Sequence, residues 1–238
     1  MMSHKLKLTK LLFLFILFTN LVNAAQTFPD HFYMKYELTQ SSKFVGTMTV
    51  EYISKNKNYS LKAVTEGQGI LRLLGNRELY SKGTINNKGF SPKKFEVKNI
   101  KKPKKDIIAI FQPSLKKIEI KYKGEKSLVK MKPKNLDLAI YLYQFNFEKK
   151  NQKKYNFSIL EGKKIREYEY KKIKDEMIEF NNKAIATVLY EGRIIDKENS
   201  EHHVWISKGE YRVPLKLRLS TNFGLTINQK IVETNLPL

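Results

Sequence analysis

Hydrophobic and polar residues alternate with a period of two along most of the chain. In the segment 116–122, Ile118 and Ile120 share one face of an extended chain, while Lys117 and Lys121 share the other. Alternation of this kind, bounded by turn residues, indicates half-buried β-strands. The pattern predicts fourteen strands, at 33–39, 44–53, 59–65, 78–85, 95–99, 107–111, 116–122, 155–160, 166–172, 176–180, 184–190, 203–207, 212–220 and 225–232.

This number of short, closely spaced strands predicts a mainly β fold, namely a single antiparallel, curved or open β-barrel. No internal repeat and no Gly/Ser/Pro-rich linker divides the sequence, so residues 25–238 are expected to form one domain. Pro214 falls inside a predicted strand. Because proline cannot donate to a strand ladder, it is expected at an edge or a bulge.

Residues 135–143 interrupt the alternation. Asn135 can cap a helix and Asp137 would lie in its first turn, where a carboxylate is favourable. We therefore expect a short helix around 135–143. Its circumference is mostly apolar, so protein or an apolar ligand must surround it. The residues alternate again over 143–147, so a helix that runs into a strand near residue 143 is the alternative.

A second interruption is the apolar stretch between Gly69 and Gly75, which we interpret as a helical turn or a loop that crosses an opening. Side chains from both interruptions could line a cavity inside the barrel. The alternative is an ordinary filled core, since small barrels are usually packed with side chains. The candidate cavity residues are Leu71, Leu73, Leu74, Ile140, Tyr141, Tyr143, Phe145 and Trp205.

The first 24 residues have the pattern of a secretory signal peptide. Lys5, Lys7 and Lys10 precede an apolar run over 11–18, and small residues lead up to Ala24. This order of basic, apolar and small residues predicts export to the periplasm with cleavage near Ala24. An uncleaved membrane anchor is the alternative, although the apolar run is shorter than the ~20 residues of a spanning helix.

Candidate chemistry is sparse. The chain has no cysteine, which excludes disulfides, thiol catalysis and cysteine-ligated metals. His202 and His203 would point to opposite faces of a strand, so they cannot jointly hold a metal. We interpret 201–203 as a solvated hairpin end. There is no G-x-S-x-G nucleophile motif, so we predict no catalytic residue, no metal and no cofactor.

The formal net charge is +22, or +19 without the three lysines of the predicted signal peptide, and twelve of these charges fall in residues 88–134. Export makes nucleic acid an improbable partner. Anionic lipid or another acidic envelope surface remains, and Lys101, Lys102, Lys104 and Lys105 are the predicted contact patch. The alternative is that these lysines only cover the solvated faces of amphipathic strands.

Several ordered sequence features resemble one family. They run from Tyr36 and Gly46 through the 69–75 stretch, 83–95 and 136–141 to the pair of segments 205–207 and 212–217. Together they resemble the exported bacterial family known as domain of unknown function 3108. The resemblance implies a periplasmic antiparallel β-barrel with no established activity, and it supplies no catalytic residue. This chain departs from the family in its excess of Lys and Asn and in lacking a Phe-Asp pair near 106–111.

These features together predict a non-enzymatic exported protein. Its barrel interior would bind a lipid or other amphipathic ligand in the service of envelope maintenance. One alternative is a structural or scaffolding protein with a filled core that binds another protein. A hydrolase of envelope polymers is the least favoured alternative, because no nucleophile, base and orienting group are found together.

Overall fold

The computed structural model of the protein describes residues 28–69, 71, 76–150, 152–197, 200–220 and 226–238. The predicted signal peptide, Leu73 and Leu74 lie outside these residues. Within the described ranges, no helix is long and apolar enough to cross a membrane.

The described residues form one sheet. Its strands are β1 (His31–Gln40), β2 (Lys43–Lys55), β3 (Asn58–Gly67), β4 (Arg77–Asn86), β5 (Gly89–Asn99), β6 (Ile107–Gln112), β7 (Lys117–Tyr122), β8 (Glu125–Lys130), β9 (Leu136–Asp137), β10 (Lys154–Glu161), β11 (Lys164–Phe180), β12 (Lys183–Ile194), β13 (His202–Ser207), β14 (Pro214–Ser220) and β15 (Thr226–Thr234).

The sheet is two meanders joined at their first strands. β1 pairs with both β2 and β15, so β2 to β8 extend to one side and β15 back to β9 extend to the other. All the pairs between neighbouring strands are antiparallel except the short parallel pair of β9 and β10. The prediction of a mainly β, open and curved antiparallel sheet is confirmed.

Several strand limits differ from the predicted ones. The segments 166–172 and 176–180 form one long strand, β11, whose register shifts between Lys172 and Lys174. β8 and β9 were not predicted. Pro214 begins β14 next to a register shift in the pairing with β13, so its missing N–H is tolerated there.

Two-residue turns of unusual backbone geometry join several hairpins. Asn56 and Lys57, and likewise Asn181 and Asn182, have positive φ angles between 50° and 62°. Two consecutive residues of positive φ are typical of the type I′ turn, whose twist matches that of the flanking strands. Asparagine tolerates this conformation better than most residues, so these pairs favour tight hairpins.

A short 3-10 helix, Tyr141–Phe147, lies inside the curved sheet, and we call it the inner helix. The predicted helix is therefore present but begins later than 135. Its approach is shaped by Asp137 rather than by Asn135: the Asp137 Oδ1 accepts bonds from the N–H groups of Ala139 and Ile140, at 3.0 and 3.2 Å. Tyr141 to Asn146 are buried, as the mostly apolar composition of the helix requires.

The largest hydrophobic cluster surrounds the inner helix. A second cluster, which includes Phe95, Ile118, Ile120 and Leu160, joins the strands β5–β7 to β10. A third and smaller cluster contains Leu38, Val45, Leu71 and Ile227. The sheet is thus curved so that its two halves share a core. In the part of the chain that the structure describes, the edge strands β8 and β9 are not paired with each other, and we call the gap between them the seam.

Candidate functional site

An apolar hollow of about 190 Å³ lies between the inner face of the sheet and the segment 138–143. Leu138, Ala139, Tyr141, Leu142 and Tyr143 form one side of it. The opposite side comes from strands β1–β4, β14 and β15, and includes Tyr36, Met48, Val50, Ala63, Leu79, Leu217, Leu219 and Gln229.

The space is left by one small residue in the middle of three paired strands. Ala63 lies opposite Val50 on one side and opposite Leu79 on the other, so the three side chains form a row on the inner face. Directly paired residues have Cβ atoms about 4.5–5.5 Å apart, which makes the methyl group of Ala63 a gap in the row. Ala139 faces the same hollow from the inner segment.

Asp137 fixes the start of the inner segment to the sheet. Its side chain is fully buried, and its Oδ2 accepts a 2.6 Å bond from the hydroxyl of Ser81 on β4. The Ser81 Oγ lies 2.9 Å from the hydroxyl of Tyr59 on β3. Burial raises the pKa of Asp137 to about 7, although the bonds from Ser81, Ala139 and Ile140 lower it. The carboxyl group thus joins β3, β4 and the inner segment across the seam.

Gln144 fixes the inner helix to the β4–β5 hairpin. Its Oε1 accepts a 3.0 Å bond from the N–H of Phe90, and its Nε2 donates a 3.0 Å bond to the carbonyl of Lys88. Gly89 makes this approach possible, because a Cβ there would lie 2.1 Å from the Gln144 Oε1. Its φ of +103° also favours glycine.

Arg212 holds the far end of the inner helix. Its guanidinium donates to the carbonyl of Glu148 at 3.0 Å and to the hydroxyl of Tyr155 at 3.1 Å. Its backbone N–H donates to the Oδ1 of Asn146 at 3.0 Å. With Asp137 and Gln144, these bonds attach the inner segment to the sheet along its whole length, so the segment forms a rigid wall of the hollow.

A buried polar chain lies behind that wall. The hydroxyl of Tyr141 is 3.3 Å from that of Tyr170, which is 2.7 Å from the Nε2 of His202. The Nδ1 of His202 is 3.1 Å from the carbonyl oxygen of Ser200. Burial lowers the pKa of His202, which favours the neutral ring. The interpretation of 201–203 as a solvated hairpin end is therefore wrong for His202, whose side chain faces the core because it shares the face of Val204.

The structure separates the predicted cavity residues into groups. Tyr141 and Tyr143 line the hollow, whereas Ile140 and Phe145 are buried in the surrounding core. Phe145 packs against the rings of Tyr155, Phe157, Tyr170 and Tyr190. Leu71 packs beside Met48 and therefore lies next to the hollow.

Trp205 does not line the hollow. Its neighbour Val204 pairs with Leu217, which does line it, so Trp205 points to the opposite face of β13. There the Nζ of Lys216 lies 4.3 Å from the centre of the indole. Strand alternation was visible in the sequence, but which of the two buried faces encloses the hollow was not.

One carboxamide side chain lines the hollow. Gln229 is only 6% exposed and reaches the hollow from β15. Its amide can both donate and accept hydrogen bonds, so it gives this otherwise apolar lining a polar group. Sequence reasoning missed this residue, because a lone glutamine in an amphipathic strand gives no sign of facing inward.

The four predicted patch lysines are all exposed. Lys101, Lys102, Lys104 and Lys105 lie in the connection between β5 and β6. Lys104 lines a surface concavity of about 580 Å³ together with Lys121 and Lys123. Among the residues that the structure describes, no group of three His, Cys, Asp or Glu side chains could hold a metal ion.

The model of one protein family matches residues 33–230, and its description is "Protein of unknown function (DUF3108)". The chain belongs to the DUF3108 family. The resemblance seen in the sequence is thereby confirmed. No curated protein matches this DUF3108 chain.

Solved structures show a similar fold. The crystal structure of a β-barrel-like protein of domain of unknown function DUF1849 from Brucella abortus has a TM-score of 0.57 and 11% identity, and the match covers 86% of this chain and 96% of that one. A putative outer membrane lipoprotein-sorting protein domain from Vibrio parahaemolyticus has a TM-score of 0.27 and 11% identity, over 89% and 87% of the two chains. The first likeness supports the fold of this DUF3108 protein, and the second carries no argument.

Proposed function

We propose that this protein is an exported, non-enzymatic protein of the bacterial envelope that binds a lipid or other amphipathic molecule in its apolar hollow. The observation that carries the proposal is the hollow beside Ala63, whose mostly apolar lining includes the carboxamide of Gln229. The signal-peptide pattern of residues 1–24 supports export.

The size of the hollow restricts the ligand. Sites for drug-sized molecules measure about 300–1,000 Å³, so a hollow of about 190 Å³ suits a narrower occupant. A single aliphatic chain is narrow and apolar along its length. The ligand class that fits best is therefore a single-chain lipid or one chain of a larger lipid.

Gln229 supports an amphipathic ligand over a purely apolar one. Its carboxamide lines the hollow and can both donate and accept a hydrogen bond. A carboxyl, ester or hydroxyl group near the chain of the ligand would be its partner. The amide would then fix the orientation of the ligand inside an otherwise apolar wall.

The buried titratable groups support a non-enzymatic role. Both ring nitrogens of His202 lie at hydrogen-bond distance from a fixed partner. Both carboxyl oxygens of Asp137 accept bonds that hold the inner segment. A general base needs a free position within hydrogen-bond reach of a substrate, and these groups are engaged in structure instead.

Filling the hollow is expected to abolish binding without unfolding the protein. Ala63→Phe places a ring in the empty space, so it should cost less than about 1 kcal/mol of unfolding free energy, whereas overpacking a filled core costs about 1–3 kcal/mol. Titration calorimetry should show that the native protein binds dodecanoate. The variant should bind it at least tenfold more weakly, which corresponds to a loss of about 1.4 kcal/mol in binding free energy.

Ala109→Phe is the matched control. Ala109 is also fully buried on an inward strand face, but it belongs to the second cluster and does not line the hollow. This variant should lose stability in urea unfolding. If Ala63→Phe loses as much stability as Ala109→Phe, the space beside Ala63 is not hollow and the proposal fails.

Gln229→Leu is expected to separate stability from binding. Leucine has a similar size and no hydrogen bond of the amide to another described residue is broken, so stability should change little, while dodecanoate loses a hydrogen bond worth about 0.5–1.5 kcal/mol. The thermal midpoint should therefore stay close to the native value while the affinity for dodecanoate falls several-fold. A lower midpoint with unchanged affinity would show that the amide serves the fold and not a ligand.

The inner helix gives one reason to retain a second candidate function. Because the largest hydrophobic cluster packs around the helix, a scaffolding protein that binds another envelope protein by its surface would also have this core. Such a protein would bind no dodecanoate, and Ala63→Phe would leave its cellular role unchanged. Crosslinking in cells would then trap a protein partner instead of lipid.

A further inference from the structure

Positive charge is concentrated around one surface concavity, and we call this region the basic rim. It consists of the connection 100–105 with Lys121 and Lys123, which face the connection across the concavity of about 580 Å³. Six lysines are therefore exposed within one area. The part of the chain from 88 to 134 that contains it holds twelve of the net charges.

The lysines of the basic rim lack internal counter-charges. Within the described ranges, no carboxylate forms an ion pair with the four lysines of the connection or with Lys121 and Lys123. Asp106 lines the concavity, but its Oδ1 accepts the N–H of Asn99 at 2.7 Å. Glu119 pairs with Lys126, and Glu125 is exposed on β8 near the rim. The net local charge is thus strongly positive and available to an external anion.

Exposed apolar side chains lie among these lysines. Ile100 is 54% exposed and Ile108 is 37% exposed. Pro103 between them is also exposed and lines the concavity. Basic residues together with projecting apolar residues are the combination that binds the interface of an anionic membrane, since the charges meet head groups and the apolar groups enter the boundary. An acidic protein would require the charges but not the exposed isoleucines.

The connection 100–105 is hydrogen-bonded to the connection between β3 and β4. The N–H of Ile100 donates a 3.2 Å bond to the carbonyl of Asn76, whose Oδ1 accepts a 3.2 Å bond from the N–H of Gly67. Asn76 ends the connection between β3 and β4 that carries Leu71. Leu71 packs beside Met48, and Met48 lines the hollow. The connection is thus tied to the loop that borders the hollow, whereas Ile108 and Lys121 lie on the outer face of the sheet, because Ala109 and Ile120 beside them face the core.

We propose that the basic rim docks the protein on an anionic lipid bilayer. Docking depends only on the rim and not on the occupant of the hollow, so it stands or fails separately from the proposed function.

The test is sedimentation of the mature protein with vesicles of phosphatidylcholine alone or mixed with phosphatidylglycerol, at low and high salt. The protein should bind the mixed vesicles at low salt and release them at high salt, because salt screens exposed charges. The variant Lys101→Gln, Lys102→Gln, Lys104→Gln and Lys105→Gln should lose on the order of a thousandfold in partitioning, since each basic residue near an anionic surface contributes roughly 1 kcal/mol.

The control removes the same charge elsewhere. Lys149, Lys150, Lys153 and Lys183 are exposed, form no ion pair with described residues and do not line the concavity. Their replacement by glutamine should reduce partitioning much less than the rim variant does. Equal losses in both variants would overturn the proposal, because net charge and not the rim would then drive binding.

Two further outcomes complete the test. Ala63→Phe should dock normally while it loses dodecanoate, so docking and ligand binding fail independently of one another. In the second outcome, the native protein fails to bind phosphatidylglycerol vesicles but binds polyglutamate over the same salt series. That result would show that the rim binds an acidic protein, and it would overturn the membrane proposal.

Discussion

Replacement of Asp137 by alanine is expected to destabilise the fold by on the order of 3–5 kcal/mol, because each buried group that loses its partner costs about 1–3 kcal/mol. The variant removes the acceptor of the Ser81 hydroxyl and of two backbone N–H groups. Those groups are buried beside the inner segment, where water cannot readily replace the carboxylate. Urea unfolding followed by tryptophan fluorescence measures the change.

Asp137→Asn is the conservative partner of this variant, and it isolates the charge. Burial raises the pKa of Asp137 to about 7, whereas an unfolded aspartate loses its proton at about 4. Between these values the folded protein binds more protons than the unfolded chain, so the contribution of Asp137 to stability falls as the pH rises through the window.

Asparagine keeps an acceptor for the backbone N–H groups but cannot ionise. The difference in stability between Asp137→Asn and the native protein should therefore move in favour of the variant as the pH rises from 4 to 7. His202 titrates in both proteins and cancels from the difference. A difference that stays constant across the window would show that the carboxyl group is not buried in the folded protein.

Gly89→Ala is the second change with a large expected effect, and it should lower the free energy of unfolding by about 2–4 kcal/mol. Backbone strain contributes roughly 1–3 kcal/mol of this loss, and displaced hydrogen bonds contribute the rest. The new Cβ would lie 2.1 Å from the Gln144 Oε1. Gln144 cannot move aside cheaply, because its amide bonds to both Phe90 and Lys88. Unfolding in urea should show the loss together with a weaker affinity for dodecanoate, since the inner helix forms a wall of the hollow.

Gly124→Ala separates the two causes. Gly124 also has a positive φ, +85°, but a Cβ there meets nothing within 4 Å. Its substitution should cost only the backbone strain. If Gly89→Ala were no more harmful than Gly124→Ala, the contact between Gly89 and Gln144 would not hold the inner helix.

Much of the fold could be predicted from the sequence because alternation survives in most strands. Ile118 and Ile120 are buried and Lys117 and Lys121 are exposed, as the pattern of β7 indicates. β8 escaped prediction because it is an edge strand with both faces mostly exposed, so its residues need not alternate. β9 is two residues long and is defined by its parallel partner β10, which no local pattern reveals.

The limits of the inner helix were harder to predict for a tertiary reason. Asn135 and Asp137 are both good capping residues. The hydroxyl of Ser81 donates a hydrogen bond to Asp137 and holds it beside β4. The chain therefore first forms a short strand and a turn, and helical geometry begins only at Tyr141. The partner that decides between the two caps lies 56 residues away in the sequence.

The hollow illustrates the same limit at the level of function. Tyr141 and Tyr143 were accessible to sequence reasoning because they belong to an unusually apolar segment. Ala63 and Gln229 were not, because their importance depends on the register of β3 and β15 with their neighbours. Trp205 was predicted to line the cavity, but its strand points it away from the hollow.

Native mass spectrometry of the protein with dodecanoate tests the central claim most directly. The native protein should retain one dodecanoate per chain, and Ala63→Phe should retain none while Ala109→Phe, at a temperature where it remains folded, still binds. Equal retention by the native protein and Ala63→Phe, or none by the native protein, would contradict the account that the hollow beside Ala63 is a lipid-binding site.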